Sequence, residues 1–138
     1  MESSFLFYKL LNLLGFSNIS FSEISKLNFP GTYVLILKVN DNILLRHWEI
    51  KKGFFAYVGS AKNGLSKRLS RHLKKEKKLF WHIDYLLDKK EVEIYKIYIS
   101  KREIEKAVAK IFERLYYPIL GFGNGDNKSV KGHLFKIV

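Results

Sequence analysis

The chain has 138 residues and a mass of 16.2 kDa, which is one domain's worth. Its residues are 47% apolar and 15% aromatic, which excludes wholesale disorder, and the absence of cysteine excludes disulfides, thiol catalysis and every cysteine-ligated metal site. A net charge of +12 points to a polyanionic partner and says nothing about fold.

No wholly apolar run is long enough to cross a bilayer, so no membrane partner is expected. The N-terminus carries Glu2 and no basic stretch, unlike a signal peptide. A cytoplasmic, reducing location is the expectation.

Residues 5–14 (FLFYKLLNLL) place Phe5, Tyr8, Leu11 and Leu14 at helical spacing, with Gly15 as a stop. Ser22-Glu23 starts a short helical turn ahead of Pro30. Residues 1–30 thus read as an N-terminal helical extension, and 31–138 as the main domain. From Gly31 the period changes. GTYVLILKV (31–39) is apolar on both faces and too short for a buried helix, so it reads as an interior strand covered on each side. Asn40-Asp41-Asn42 makes a turn, 43–48 a return strand, Lys51-Lys52-Gly53 a second turn, and FFAYVGS (54–60) a third strand.

Gly64 to Lys78 reads as a basic helix and Phe80 to Leu87 as a shorter one. VEIYKIYI (92–99) alternates like a strand. Ser100 with Glu103 reads as a capping box for a helix running to about Tyr116. GFGNGDNKSVKG (121–132) is a glycine-rich loop, and HLFKIV closes the chain as a short strand. The fold class expected is α+β: a small mixed, largely antiparallel sheet flanked by helices.

Residues 62–78 hold eight Lys or Arg and one Glu. A solvated helix face is the plain reading of such a run. Positions sharpen it. At about 100° per residue, Leu65, Leu69 and Leu73 form a core stripe, and Lys67, Arg71, Lys74 and Lys78 lie opposite, facing water. Arg68 and His72 sit one turn apart on one face, flanking the leucines. Arginine offers a fixed fork for phosphate, and histidine moves protons near neutral pH. His82 and Asp84 read first as hydrogen-bonding or capping residues within the fold. Asp126 and His133 flank the glycine-rich loop with their roles open. That loop resembles a phosphate-cradling run only weakly, since it does not link a strand to a helix.

Gly31-Thr32-Tyr33, Tyr57-Val58-Gly59, Arg68, His72 and a later helical glutamate together resemble the GIY-YIG nuclease pattern, here written GTY and YVG. The segment YVGSAKNGLSKRLSRH is the strongest match, and the likeness covers about residues 31–136. LFWHIDYLL, GFGNGD and GHLF resemble a branch of small archaeal and bacterial GIY-YIG-like domains of unknown function, some fused to endonuclease III-type repair proteins.

The resemblance implies a metal-dependent endonuclease acting on phosphodiester bonds in DNA, structure-selective and repair-related, with RNA as the other polyanion to consider. It implies one divalent ion, Mg²⁺ or Mn²⁺, on a helical glutamate. Glu105 fits best, ahead of the small-apolar run to Ala109, with Glu103 as the fallback. Tyr33 is then the base or base-assisting group, although a phenol needs a local cation to ionise at neutral pH. Arg68 would stabilise developing charge, and Tyr57 and His72 would position water and phosphate. Lys62, Lys67, Arg71, Lys74, Lys75 and Lys78 are the candidate backbone contacts. The alternative reading is a non-catalytic DNA- or RNA-binding module on the same fold.

Overall fold

The computed structural model describes residues 2–123 and 129–138. The chain folds as α+β, around a six-stranded sheet in which every pairing is antiparallel. Its strands are β1 (Ser17–Ile19), β2 (Gly31–Val39), β5 (Gly53–Ala61), β6 (Val92–Ser100), β7 (Tyr117–Pro118) and β8 (Leu134–Lys136), in the order β1-β6-β2-β5-β8-β7. β3 (Ile43–Leu45) and β4 (Trp48–Ile50) form a separate two-stranded hairpin. The helices are α1 (Glu2–Leu13), α2 (Leu65–Leu73), α3 (His82–Leu87) and α4 (Glu105–Leu115), with a 3₁₀ helix at Phe21–Lys26. No helix among the described residues is long and apolar enough to cross a membrane.

β2 is the interior strand that its two apolar faces require, and every residue in it except Lys38 is buried. Alternation divides the core in two. One face carries Tyr33, Leu35 and Leu37 with Phe55 and Tyr57, packed on Leu65 and Leu69 of α2, Ile83 and Leu86 of α3, and Trp48 and Ile50 of β4. The other carries Val34, Ile36, Ala56 and Val58 under Phe7 and Leu11 of α1 and Val108, Ala109 and Phe112 of α4. The N-terminal thirty residues therefore supply one wall of the second core, and β1 also extends the sheet beside β6.

Three local expectations give way to tertiary partners. Residues 43–48 do not return along β2. That place belongs to β5, which matches β2 over nine residue pairs, from Gly31↔Ala61 to Val39↔Gly53. The intervening hairpin turns tightly at Arg46, which adopts a positive φ of 57°, and folds down to bury Trp48 and Ile50.

The basic helix ends at Leu73 instead of Lys78. Beyond Leu73 there is no apolar residue to hold a further turn on the core until Leu79. The Lys77 ammonium instead reaches back to the carbonyls of Arg71, His72 and Lys74, at 3.1, 3.0 and 3.1 Å, which closes the helix electrostatically.

The capping box at Ser100 does not form. Ser100 stays in β6 opposite Thr32. The Thr32 hydroxyl donates to the Arg102 carbonyl at 2.7 Å and accepts from the Ile104 amide at 2.9 Å. A cap from seventy residues away in sequence thus delays α4 until Glu105.

Candidate active site

The site lies at the end of the sheet where β5 outruns β8. β8 pairs with residues 55–57 only, and the last contact between the two segments is the Val58 amide to the His133 carbonyl at 3.0 Å. The remaining edge of β5 opens into a cleft of about 350 Å³. Tyr33 of β2, Tyr57 of β5, Arg68 of α2 and Glu105 of α4 all line it, beside Lys62 and Trp81. Four separate elements thus deliver four of the five residues nominated as catalytic, His72 being the exception.

Tyr33 is placed by register. It pairs across the strands with Gly59, and Leu35 pairs with Tyr57. Both tyrosines point to the same face, with ring centroids 6.4 Å apart. A Cβ at residue 59 would fall inside the Tyr33 ring. The glycine of the YVG segment is therefore what lets the phenol cross the neighbouring strand.

The Tyr33 hydroxyl lies 2.7 Å from His72 Nε2, and His72 is itself buried. His72 Nδ1 has no hydrogen-bond partner among the described residues. A buried, unpaired N–H is the costlier of the two possible orphans. The proton therefore belongs on Nε2, which donates to the phenol oxygen. Tyr33 is left with its own O–H to direct into the cleft.

Two expectations about proton chemistry are corrected by burial. His72 does not titrate near neutrality. Its burial, reinforced by the Arg68 charge, pushes its pKa down to about 3. Nor does it line the cleft; it stands behind Tyr33 and positions it. Tyr33 does have a local cation, since Arg68 sits beside it and favours ionisation, but desolvation outweighs that pull and raises its pKa. Burial likewise holds Tyr57 well above the ordinary phenol range, with further upward pushes from Tyr33 and Glu105. Both phenols are neutral at physiological pH.

Glu105 is the first residue of α4 and half-buried. Its Oε2 lies 3.9 Å from Nδ1 of His133, which also approaches the Val58 carbonyl at 3.2 Å. His133, whose role the sequence left open, thus stands directly behind the carboxylate. Glu103, the fallback, is exposed and does not line the cleft. Among the described residues no group of three or more His, Cys, Asp or Glu side chains stands ready to hold an ion. Glu105 presents a single carboxylate at the cleft wall. This donor set suits a hard cation completed by water and phosphate oxygens.

The basic residues separate by position. Lys62 lines the cleft, and Lys67 lines the adjoining groove with Arg68 and Trp81. Lys74 and Lys75 border a different hollow with Phe21, Leu87 and Glu93, and Lys78 is exposed beyond the end of α2. Arg71 is not a free surface charge. Its guanidinium grips the fully buried Asp84 through both arms, at 2.6 and 2.8 Å. Burial alone would raise the Asp84 pKa, but the Arg71 bonds and the amides of Trp81 and Phe80 hold it at about 2. Asp84 is thus the internal clamp that its sequence context suggested, and Arg71 is its counter-ion. The helical wheel missed this because Asp84 of α3 comes within reach of an arginine that it assigned to water.

His82 is also structural. Its Nδ1 accepts the Gly123 amide at 2.9 Å, and its ring packs against Trp48 and Phe122. It therefore pins the start of the glycine-rich loop beside the cleft. Asp126 lies outside the described residues. Trp81 went unnoticed in the sequence, where only its place beside a basic helix hinted at a role.

Residues 32–138 match the family model described as a domain of unknown function, DUF123. No curated protein and no solved structure matches the chain.

Proposed function

We propose that this chain, which belongs to the DUF123 family, is a divalent-metal-dependent endonuclease that hydrolyses phosphodiester bonds in DNA, structure-selective and concerned with repair. The observation that carries the reading is the convergence of Tyr33, Tyr57, Arg68 and Glu105 on one cleft. Packing a core requires no such meeting of a fixed cation, a carboxylate and two phenols from four separate elements. The likeness to GIY-YIG nucleases in GTY, YVG and the Arg68–His72 spacing supports the same reading.

Glu105 would hold the metal ion, Mg²⁺ or Mn²⁺, which as a Lewis acid supplies charge for the leaving oxygen. Arg68 is fixed beside Tyr33 and faces the space where charge develops on the equatorial oxygens. Tyr33, kept neutral by burial and held from behind by His72, orients a water or a phosphate oxygen through its O–H. Tyr57 closes the same wall. His133 braces Glu105. Lys62 and Lys67 hold the backbone on either side without reading sequence.

The neutral state of both phenols favours the second reading, a non-catalytic DNA- or RNA-binding module, because it removes Tyr33 and Tyr57 as bases. A panel of duplex, single-stranded, nicked, flapped and branched DNA and of RNA separates the two. Each substrate is incubated with Mg²⁺, Mn²⁺ or EDTA. The nuclease reading expects metal-dependent cleavage that falls about 10²–10³-fold in Arg68→Ala and is lost in Glu105→Ala. Salt-sensitive binding without cleavage under either metal establishes the module instead.

A further inference from the structure

Phe80 and Trp81 stand in the open just ahead of α3, 71% and 36% exposed, and Trp81 lines the cleft. A single exposed aromatic is ordinary, but these two are held in place. The buried Asp84 carboxylate accepts the amides of both, at 2.9 and 2.8 Å, and the same carboxylate clamps Arg71. The Arg68 and Arg71 guanidinium carbons then lie 4.3 and 4.4 Å from the Trp81 ring centroid. Trp81 lines the cleft, and the Phe80 ring stands edge-to-face against it at 5.7 Å. The fold thus anchors the backbone of both residues on a buried carboxylate and sets two arginines against the Trp81 ring, beside which the Phe80 ring faces outward.

We propose that this pair is a stacking platform for an unpaired nucleobase. A base stacks on the outer face of Phe80, Trp81 braces that ring from the side, and the attached phosphate enters the cleft toward Arg68. Base–aromatic stacking combined with backbone cations is how single strands are bound without sequence readout. Bases inside an intact duplex offer no free face. The inference rests on the reading of the cleft as a phosphodiester site and names its substrate class: a nucleic acid that is single-stranded or splayed beside the scissile phosphate.

The test measures binding in EDTA, by fluorescence anisotropy, to a labelled DNA strand of about a dozen nucleotides. The comparison probes are the same strand built from abasic residues, a blunt duplex, and the RNA equivalent. The natural strand is expected to bind about five- to hundredfold more tightly than the abasic one. Phe80→Ala, at an exposed position that costs the fold little, should erase that difference while leaving the abasic strand's affinity unchanged. Phe80→Tyr should restore it. Quenching of Trp81, read in a Trp48→Phe background so that it is the sole tryptophan, should accompany the natural strand only. A base preference shown by the RNA strand as well supports the platform and widens its substrate. Equal affinity for natural and abasic strands, or an equal loss for both in Phe80→Ala, overturns the platform. If DNA is still cleaved with metal, that failure is the platform's alone; if no strand binds at all, the phosphodiester reading falls with it.

Discussion

His72 makes acid stability the most direct physical test of the site. Its imidazole is neutral in the fold, with a pKa near 3 against an ordinary 6.5. The sign follows from which state binds more protons. Below pH 6.5 the unfolded chain takes up a proton at His72 and the folded one does not, so this contribution is complete above 6.5 and is lost as pH falls toward 3. At pH 4.5, two units below the unfolded value, the loss is about 2.7 kcal/mol. That is a large share of the roughly 5–15 kcal/mol that holds a domain together, and at about 4 °C per kcal/mol it lowers Tm by about 10 °C. Asp84, held at about 2, loses its contribution only below its ordinary 3.8 and so stays out of this window. His72→Phe keeps the ring in its pocket and removes the titration. It should cost about 1 kcal/mol at pH 7 through the lost Tyr33 bond. Its Tm should then fall about 10 °C less than that of the wild type between pH 7 and 4.5, in calorimetric scans run side by side. Parallel losses in the two proteins would refute the reasoning, as would a ring nitrogen of His72 titrating by NMR near 6.5.

Gly59→Ala should drive a methyl group into the Tyr33 ring, costing about 1–3 kcal/mol by urea unfolding and lowering cleavage beyond what the stability loss explains; unchanged cleavage would remove Tyr33 from the reaction. The lysines should divide by location. Lys62→Ala with Lys67→Ala should reduce the slope of log K against log salt on duplex DNA by about one to two contacts at ~0.9 each, whereas Lys74→Ala with Lys75→Ala should leave it alone. The reverse ranking would move the binding face to the other side of α2.

Where one residue's surroundings are set by its near neighbours, the sequence was readable. Period and length alone mark β2 as an interior strand with two covered faces, and the all-apolar burial of Tyr33 to Leu37 follows. The stripe of Leu65 and Leu69 in α2 and the strand character of 92–99 were legible on the same ground. The resemblance to the GIY-YIG pattern nominated Tyr33, Tyr57, Arg68 and Glu105, which spacing alone did not single out, and these four line one cleft.

What misled the reading were residues whose partner is remote. Ser100 and Glu103 have the spacing of a local capping box, yet the Thr32 hydroxyl takes its place because β2 and β6 lie side by side. Arg71 looks solvated on a helical wheel, yet α3 brings Asp84 beneath it. Residues 43–48 carry strand propensity, but propensity does not choose a partner, and the nine-residue match of β5 wins.

By itself, then, the sequence determined the two covered faces of β2, the Leu65–Leu69 stripe and basic character of α2 and the identity of the polar groups available, because these depend on side-chain chemistry and spacing along one segment, whereas α1 buries Phe7 and leaves Phe5 exposed, against its expected stripe. Only the tertiary structure decided their states. Desolvation and charge depend on everything packed around a group, so a tyrosine nominated as base and a histidine nominated to position the substrate became a neutral pair in which one holds the other.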